Sequence, residues 1–142
     1  MLAKRVADLP DGEGWIFEPK WDGFRVLVFR DQDELHIQSR DEKPLNRYFP
    51  ELLEPLKQAL PERAVVDGEV VVARGGVLDF EALQMRVHPA ASRVKKLSLE
   101  LPASVVLFDM LADGARNLCA APFAERRAAL EYGVAKHVES IH

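Results

Sequence analysis

The chain has 142 residues, 48% hydrophobic and 30% charged, with a net charge of −4 and a pI near 5.6, which suits one globular domain with a real core and excludes a disordered chain. The acidic balance argues against a domain that clamps nucleic acid over a broad surface, because such affinity rests on many Lys and Arg contacts to phosphate; nucleic-acid contact is expected to be local. No apolar stretch approaches the roughly 20 residues of a membrane span, and Met1 to Pro10 carries Lys4, Arg5 and Asp8 in place of a signal-peptide core, so the expectation is a cytoplasmic protein with no membrane partner.

In chain order, Trp15 to Glu18, Phe24 to Arg30 and Glu34 to Gln38 are rich in β-branched and aromatic residues. Asp22-Gly23 and Asp31-Gln32-Asp33 separate them, which predicts strands joined by tight turns. The continuous apolar run of Phe24 to Phe29 places its strand inside the sheet and not at an edge. Leu45 to Leu60 spaces Phe49, Leu52, Leu53, Leu56 and Leu60 at helical intervals, with Pro50 near the start. Ala64 to Ala73, then Gly75-Gly76, then Val77-Leu78 predict a strand, a hairpin turn and its partner. Asp79 is placed to cap a helix through Val87 that Pro89 ends. Ala103 to Leu111 predicts another strand, closed by Asp113-Gly114, and Pro122 opens a helix through about Glu131. Strands cluster and helices intersperse without strict βαβ alternation, which favours an α+β fold with a largely antiparallel sheet.

Cys119, the single cysteine, excludes an internal disulfide and reads as a small buried hydrophobe. His36, His88, His137 and His142 form no pattern that sets two metal ligands on one helix face. The basic groups Arg93-Lys95-Lys96 and Arg126-Arg127 read as solvated surface. The unusual feature is Lys20, between Glu18 and Asp22 and beside Gly23. Either it is a surface lysine at a hairpin corner paired with an acid, or its amine is partly desolvated and available as a nucleophile.

Glu18-x-Lys20-x-Asp22-Gly23-x-Arg25 resembles motif I of the covalent nucleotidyltransferases: DNA ligases, RNA ligases and capping guanylyltransferases. Within that group the chain is most similar to the bacterial ATP-dependent DNA ligases of end joining. Gln38-Ser39-Arg40-Asp41, Arg47 to Leu52, Val66 to Val71, Phe80 to Val94 and Leu107 to Leu111 continue the likeness in the family's order. The resemblance implies a nucleotidyltransferase (ATP-grasp-like) adenylation fold, ATP as the nucleotide, and AMP carried covalently on Lys20 after attack on the α-phosphate. It implies Mg²⁺ or Mn²⁺ as cation, and nicked or broken double-stranded DNA and end-joining repair proteins as partners. Residue by residue, it makes Lys20 the nucleophile and Asp22 the aspartate tied to sealing. It sets Glu18 near the adenine amino group, Arg25 and Arg40 at ribose and phosphates, Phe108 on the base, and Glu69 at ribose or metal.

Members of the family continue beyond a stretch of this length, with a second metal carboxylate, a Lys-x-Lys pair and an OB-fold domain. Residues 1–142 are therefore expected to form a partial adenylation domain, impaired in sealing, with some apolar surface uncovered. Glu131 to Lys136 is similar to the family's Glu-Gly-Val-Val-Ala-Lys motif, which would make Glu131 that metal carboxylate; only 22 residues separate it from Phe108, so either an internal deletion joins the Pro122 helix to a remnant of that motif or the likeness is a chance one at a helix end. An RNA ligase or capping-type relative and a non-catalytic ligase remnant are the alternatives.

Overall fold

The computed structural model describes residues 7–9, 11–15 and 18–141, with side chains described as far as residue 134. In chain order the elements are β1 (Phe24–Asp31), β2 (Glu34–Ser39), two single 3₁₀ turns at Asn46–Tyr48 and Pro50–Leu52, and α1 (Leu53–Ala59). There follow β3 (Arg63–Val71), β4 (Ala73–Arg74), β5 (Val77–Leu78), α2 (Phe80–Met85), α3 (Ala91–Glu100), β6 (Ser104–Asp113), β7 (Arg116–Asn117) and α4 (Phe123–Ile141). The main sheet has five strands in the order β2-β1-β3-β6-β7, and all its pairings are antiparallel. This is the α+β architecture expected, with β1 internal. No described helix is long and apolar enough to cross a membrane.

Alternation along the strands sorts the sheet into two faces. Val26 and Val28 of β1, Val66 and Val70 of β3 and Met110 of β6 are buried, and they pack with Ile37, Phe49, Leu52, Leu56, Leu60 and Leu130. Each such side chain contributes about 1.5–3 kcal/mol when fully buried. The intervening residues Arg25, Leu27, Asp67 and Glu69 fall on the other face, which is only partly covered. The sheet thus supplies a rigid floor for polar groups on its open side.

Several expectations are refined. Trp15 and Glu18 lie outside any strand, and Ile16 and Phe17 lie outside the described residues. The helix expected from Leu45 to Leu60 is broken: Phe49 takes a non-helical conformation (φ −130°, ψ 58°), Pro50 has no N–H to continue the ladder, and only Leu53–Ala59 is α-helical. β3 ends at Val71, short of the Ala73 expected, while the hairpin turn falls at Gly75-Gly76 as expected, both at positive φ. Asp79 caps α2 as expected, accepting from the Ala82 N–H at 2.9 Å. Cys119 is exposed, because Leu118 is the residue that turns inward after β7.

α4 continues well past Glu131, so the run Glu131-Tyr132-Gly133-Val134 is mid-helix. Gly133 serves packing there: a Cβ at this position would lie 3.2 Å from Pro61 Cγ and 3.4 Å from Met110 Cε. α3 was not expected at all, although Val94 and Leu97 bury one side of it.

Among the described residues, one charged side chain is fully buried. Arg86, at the end of α2, donates to Glu51 Oε1 at 2.8 Å, to the Tyr48 carbonyl at 2.9 Å and to the Leu101 carbonyl at 2.8 Å, and stacks over Phe49. Glu51 also accepts from the Ala103 N–H at 2.9 Å. A buried guanidinium must be paired and bonded to be tolerated, and this set of partners ties the 3₁₀ turns, α2, the end of α3 and the start of β6 into one block.

Candidate active site

Glu18, Pro19, Lys20 and Trp21 run as a chain segment without regular structure into β1. Proline at 19 disfavours helix at Glu18 and fixes its own φ, so the segment enters the sheet from one direction. Gly23 then lets β1 meet β3 closely: an added Cβ would lie 2.1 Å from the Val70 carbonyl oxygen and 2.8 Å from Val71 Cγ1. This close approach, not a turn, is what residue 23 requires.

The segment, β1, β3 and β6 enclose a cleft of about 560 Å³ lined by Glu18, Lys20, Trp21, Arg25, Glu69 and Phe108, with Val106, Leu107 and Arg127 completing the wall. Sheet register assembles it. Arg25 pairs across β1 and β3 with Glu69, and Glu69 pairs across β3 and β6 with Val106. Between Asp67 and Gly68 the β3–β6 register shifts, so Asp67 faces Asp109, Gly68 faces Leu107, and Phe108 is the extra residue of a bulge. Gly68 makes the approach possible, since a Cβ there would lie 2.5 Å from the Val106 carbonyl oxygen. Phe108 is therefore a half-buried wall of the cleft and not a core aromatic.

Arg25 is held by Asp67 two positions along the same face of β3: Nε donates to Asp67 Oδ1 at 2.6 Å, and Nη2 donates to the second carboxylate oxygen. Its guanidinium carbon sits 4.8 Å from the centre of the Phe108 ring. The hydrogen-bonded Asp67 carboxylate raises the Arg25 pKa above its ordinary value, against the opposing effect of burial, so this charge is fixed. Burial raises the Glu69 carboxyl above the usual carboxylate range; the Asp22 and Asp67 charges push the same way, while Arg25 and Lys20 partly oppose it. Lys20 and Asp22 are exposed. Lys20 is neither at a hairpin corner nor buried in a strand pair; it stands at the open side of the cleft.

Arg40, in the turn after β2, lines an adjoining cleft of about 790 Å³ with Lys43, Arg47 and Tyr48, and Arg25 and Glu69 line both clefts. Four cationic side chains, Arg25, Arg40, Lys43 and Arg47, thus line this second cleft together with the carboxylates Asp41 and Glu69. Glu131 is placed differently from Glu69. It accepts from Arg127 Nε at 3.1 Å and lines a third, mainly apolar cleft beside Leu52, Leu56 and Leu130. Among the described residues no three His, Cys, Asp or Glu side chains converge to hold an ion. Glu69 lines both clefts, and a magnesium-type ion that draws its other ligands from phosphate and water needs only one or two protein carboxylates.

Sequence reasoning missed the roles of three residues here. Asp67 stands two positions before Glu69 on the same strand face, a spacing that period two could have flagged. Arg126 and Arg127 are not simply solvated surface. Arg126 Nε donates to Asp109 Oδ1 at 2.9 Å, and Arg127 Nη1 donates to Glu18 Oε1 at 2.8 Å across 109 residues of chain, a pairing without local signal.

The chain is similar along its whole length to proteins of known kind. DNA ligase C of Mycobacterium tuberculosis is 52% identical over 130 residues, covering 92% of this chain and 36% of that protein. DNA ligase C1 of Mycolicibacterium smegmatis is 55% identical over 139 residues, covering 94% of this chain and 40% of that protein. Among solved structures, mycobacterial DNA ligase D complexed with ATP and MES superposes with a TM-score of 0.64 at 28% identity, covering 81% of this chain and 35% of that one. The chain thus spans well under half the length of these relatives. The family described as ATP dependent DNA ligase domain matches residues 1–142, so the chain belongs to that family.

Proposed function

We propose that this chain forms the nucleotide-binding part of a DNA ligase adenylation domain and takes up AMP from ATP on Lys20. One observation carries the reading: Glu18, Lys20 and Arg25 line a single cleft with Glu69 and Phe108, which lie far from them in sequence. In the step proposed, the unprotonated Lys20 Nζ attacks the α-phosphorus in line with the bridging oxygen. A P–N bond forms, the bond to the β-phosphate breaks, pyrophosphate departs with the electron pair, and the amine proton passes to water at the exposed side of the lysine. AMP would then be transferred to the 5'-phosphate of nicked or broken duplex DNA.

The other roles follow from chemistry. Phe108 offers a ring face to the base, and Glu18 an acceptor for its amino group. Arg25 and Arg40 stand on the surface that joins the two clefts, with Lys43 and Arg47 beside them, and would balance phosphate charge. A bound Mg²⁺ or Mn²⁺ would neutralise charge on the phosphates. Glu69 is the residue best placed to hold it. Asp22, exposed beside the nucleophile, is assigned to the later transfer to DNA. The relatives are DNA ligases more than twice as long, so we infer that these 142 residues adenylate themselves slowly and do not seal nicks alone. The OB-fold domain and end-joining partners belong to this reading as properties of a longer ligase.

The test is incubation with α-labelled ATP and Mg²⁺ or Mn²⁺, with α-labelled GTP in parallel. Label from ATP that survives denaturation, is discharged by pyrophosphate and is absent in Lys20→Ala supports the proposal. Label from GTP would favour a capping-type enzyme, and no label from either would leave a non-catalytic ligase remnant.

A further inference from the structure

The Arg127 side chain joins the segment that carries Lys20 to the body of the fold by bonding the Glu18 carboxylate. Its Nη1 donates to Glu18 Oε1 at 2.8 Å and to the Phe108 carbonyl at 3.4 Å, while its Nε donates to Glu131 Oε1 at 3.1 Å. Both Arg127 and Glu18 are about two-thirds shielded, with side-chain exposures of 32% and 36%, so the pair is less screened than an open surface contact. Arg127 projects from α4, which packs against β6 through Leu130 and Met110 in the core, and its neighbour Arg126 is fixed to Asp109 of β6. The base of the arginine is therefore rigid. What it holds has no such support of its own: residues 18–20 belong to no helix or strand.

The geometry points to Arg127 as a positioning residue for lysine adenylation: by gripping Glu18 against the Phe108 bulge, it holds the segment carrying Lys20 across the cleft mouth. This rests on the proposed role of Lys20, but the tether itself is a separate matter. Glu18 is two residues before the nucleophile, so a fork that restrains its carboxylate restricts the arc over which Lys20 Nζ can wander. A nucleophile restrained near its target gains rate through orientation, whereas one released must find alignment by chance. Glu131 completes the device by orienting the guanidinium from within the same helix, one turn along. Phe108 and Glu18, the two groups assigned to the base, are thereby kept in fixed relation to each other.

Two measurements test this, one of them independent of ATP. Limited trypsin digestion at the Lys20–Trp21 bond, followed by mass spectrometry, reads the freedom of the segment. Arg127→Ala should speed that cleavage about fivefold or more relative to other sites, and Arg127→Lys, which keeps the charge and one donor, should recover most of the protection. Glu18→Gln tests the same contact from an exposed residue whose replacement leaves the core untouched, and should fall between them. Equal cleavage in wild type, Arg127→Ala and Glu18→Gln would overturn the tether. In single-turnover adenylation, Arg127→Ala should lower the rate at saturating ATP about tenfold, with the half-saturating concentration within about threefold of wild type. A raised half-saturating concentration with an unchanged maximal rate would overturn the positioning role, since Arg127 would then act on nucleotide binding. Wild type that takes up no label sinks the adenylation reading, while the cleavage rates still decide for or against the tether.

Discussion

A methyl group at Gly23 would be forced to within 2.1 Å of a backbone oxygen of β3, which cannot move as a flexible side chain would. Gly23→Ala is expected to destabilise the fold by about 1–3 kcal/mol in urea denaturation and to lower labelling of Lys20, because the strand that follows Lys20 loses its seat. Glu69 behaves in the opposite sense. Its carboxyl titrates above the usual range because burial penalises the charge, so the folded state holds its proton more tightly than the unfolded chain. Stability from this group is therefore present below the ordinary carboxylate pKa and is lost as pH rises through the raised value. Glu69→Gln should flatten that decline and raise the melting temperature at pH 7 relative to wild type, while reducing Lys20 labelling; thermal melts between pH 4 and 8 check the first part. The spacing around Lys20 was legible in sequence, since a lysine flanked by acids and a glycine stands out. The reason for Gly23 was not, because it resides in Val70 and Val71, strangers to it in the chain.

At the level of elements, the strands were readable because their apolar runs are strong, and β1, β2, β3 and β6 fall where the residues predicted them. Helical stretches fared less well. The spacing of Leu52, Leu53, Leu56 and Leu60 is helical, yet the conformation at Phe49 and the proline after it divide the stretch, and the buried Arg86 explains why the turns stay fixed. Glu51→Ala would leave that guanidinium buried without its carboxylate, and a loss of about 3–5 kcal/mol in unfolding free energy is expected. Replacing Arg86 with Met while removing Glu51's charge as Glu51→Gln should recover part of it, read by the same denaturation curves. α3 escaped notice because its apolar positions are few and its outer face is basic and polar, so periodicity over a short window was weak. α4 was expected to stop near Glu131, where a family-like run drew attention; Gly133 instead lets the helix pack against Met110 and Pro61.

Across the whole molecule, one sheet face builds the core and the other presents charge, and the candidate site follows from that division. Period two along β1 and β3 puts Arg25, Asp67 and Glu69 on the open face, and the bulge at Phe108 turns an otherwise internal strand residue into a cleft wall. The acidic net charge does not preclude a local cationic group: Arg25, Arg40, Lys43 and Arg47 line one cleft, where they would face phosphate. Raising salt should weaken ATP uptake, and Arg40→Ala should raise the half-saturating ATP concentration several-fold with little change in melting temperature, because Arg40 is exposed and outside the core. Lys20 is the residue proposed to carry the adenylate. Incubation with ATP and Mg²⁺, trypsin digestion and peptide mass spectrometry test it directly: AMP should sit on Lys20, within a peptide uncut at that residue. AMP on any other residue, or an unmodified Lys20 in protein that has taken up label, would contradict it.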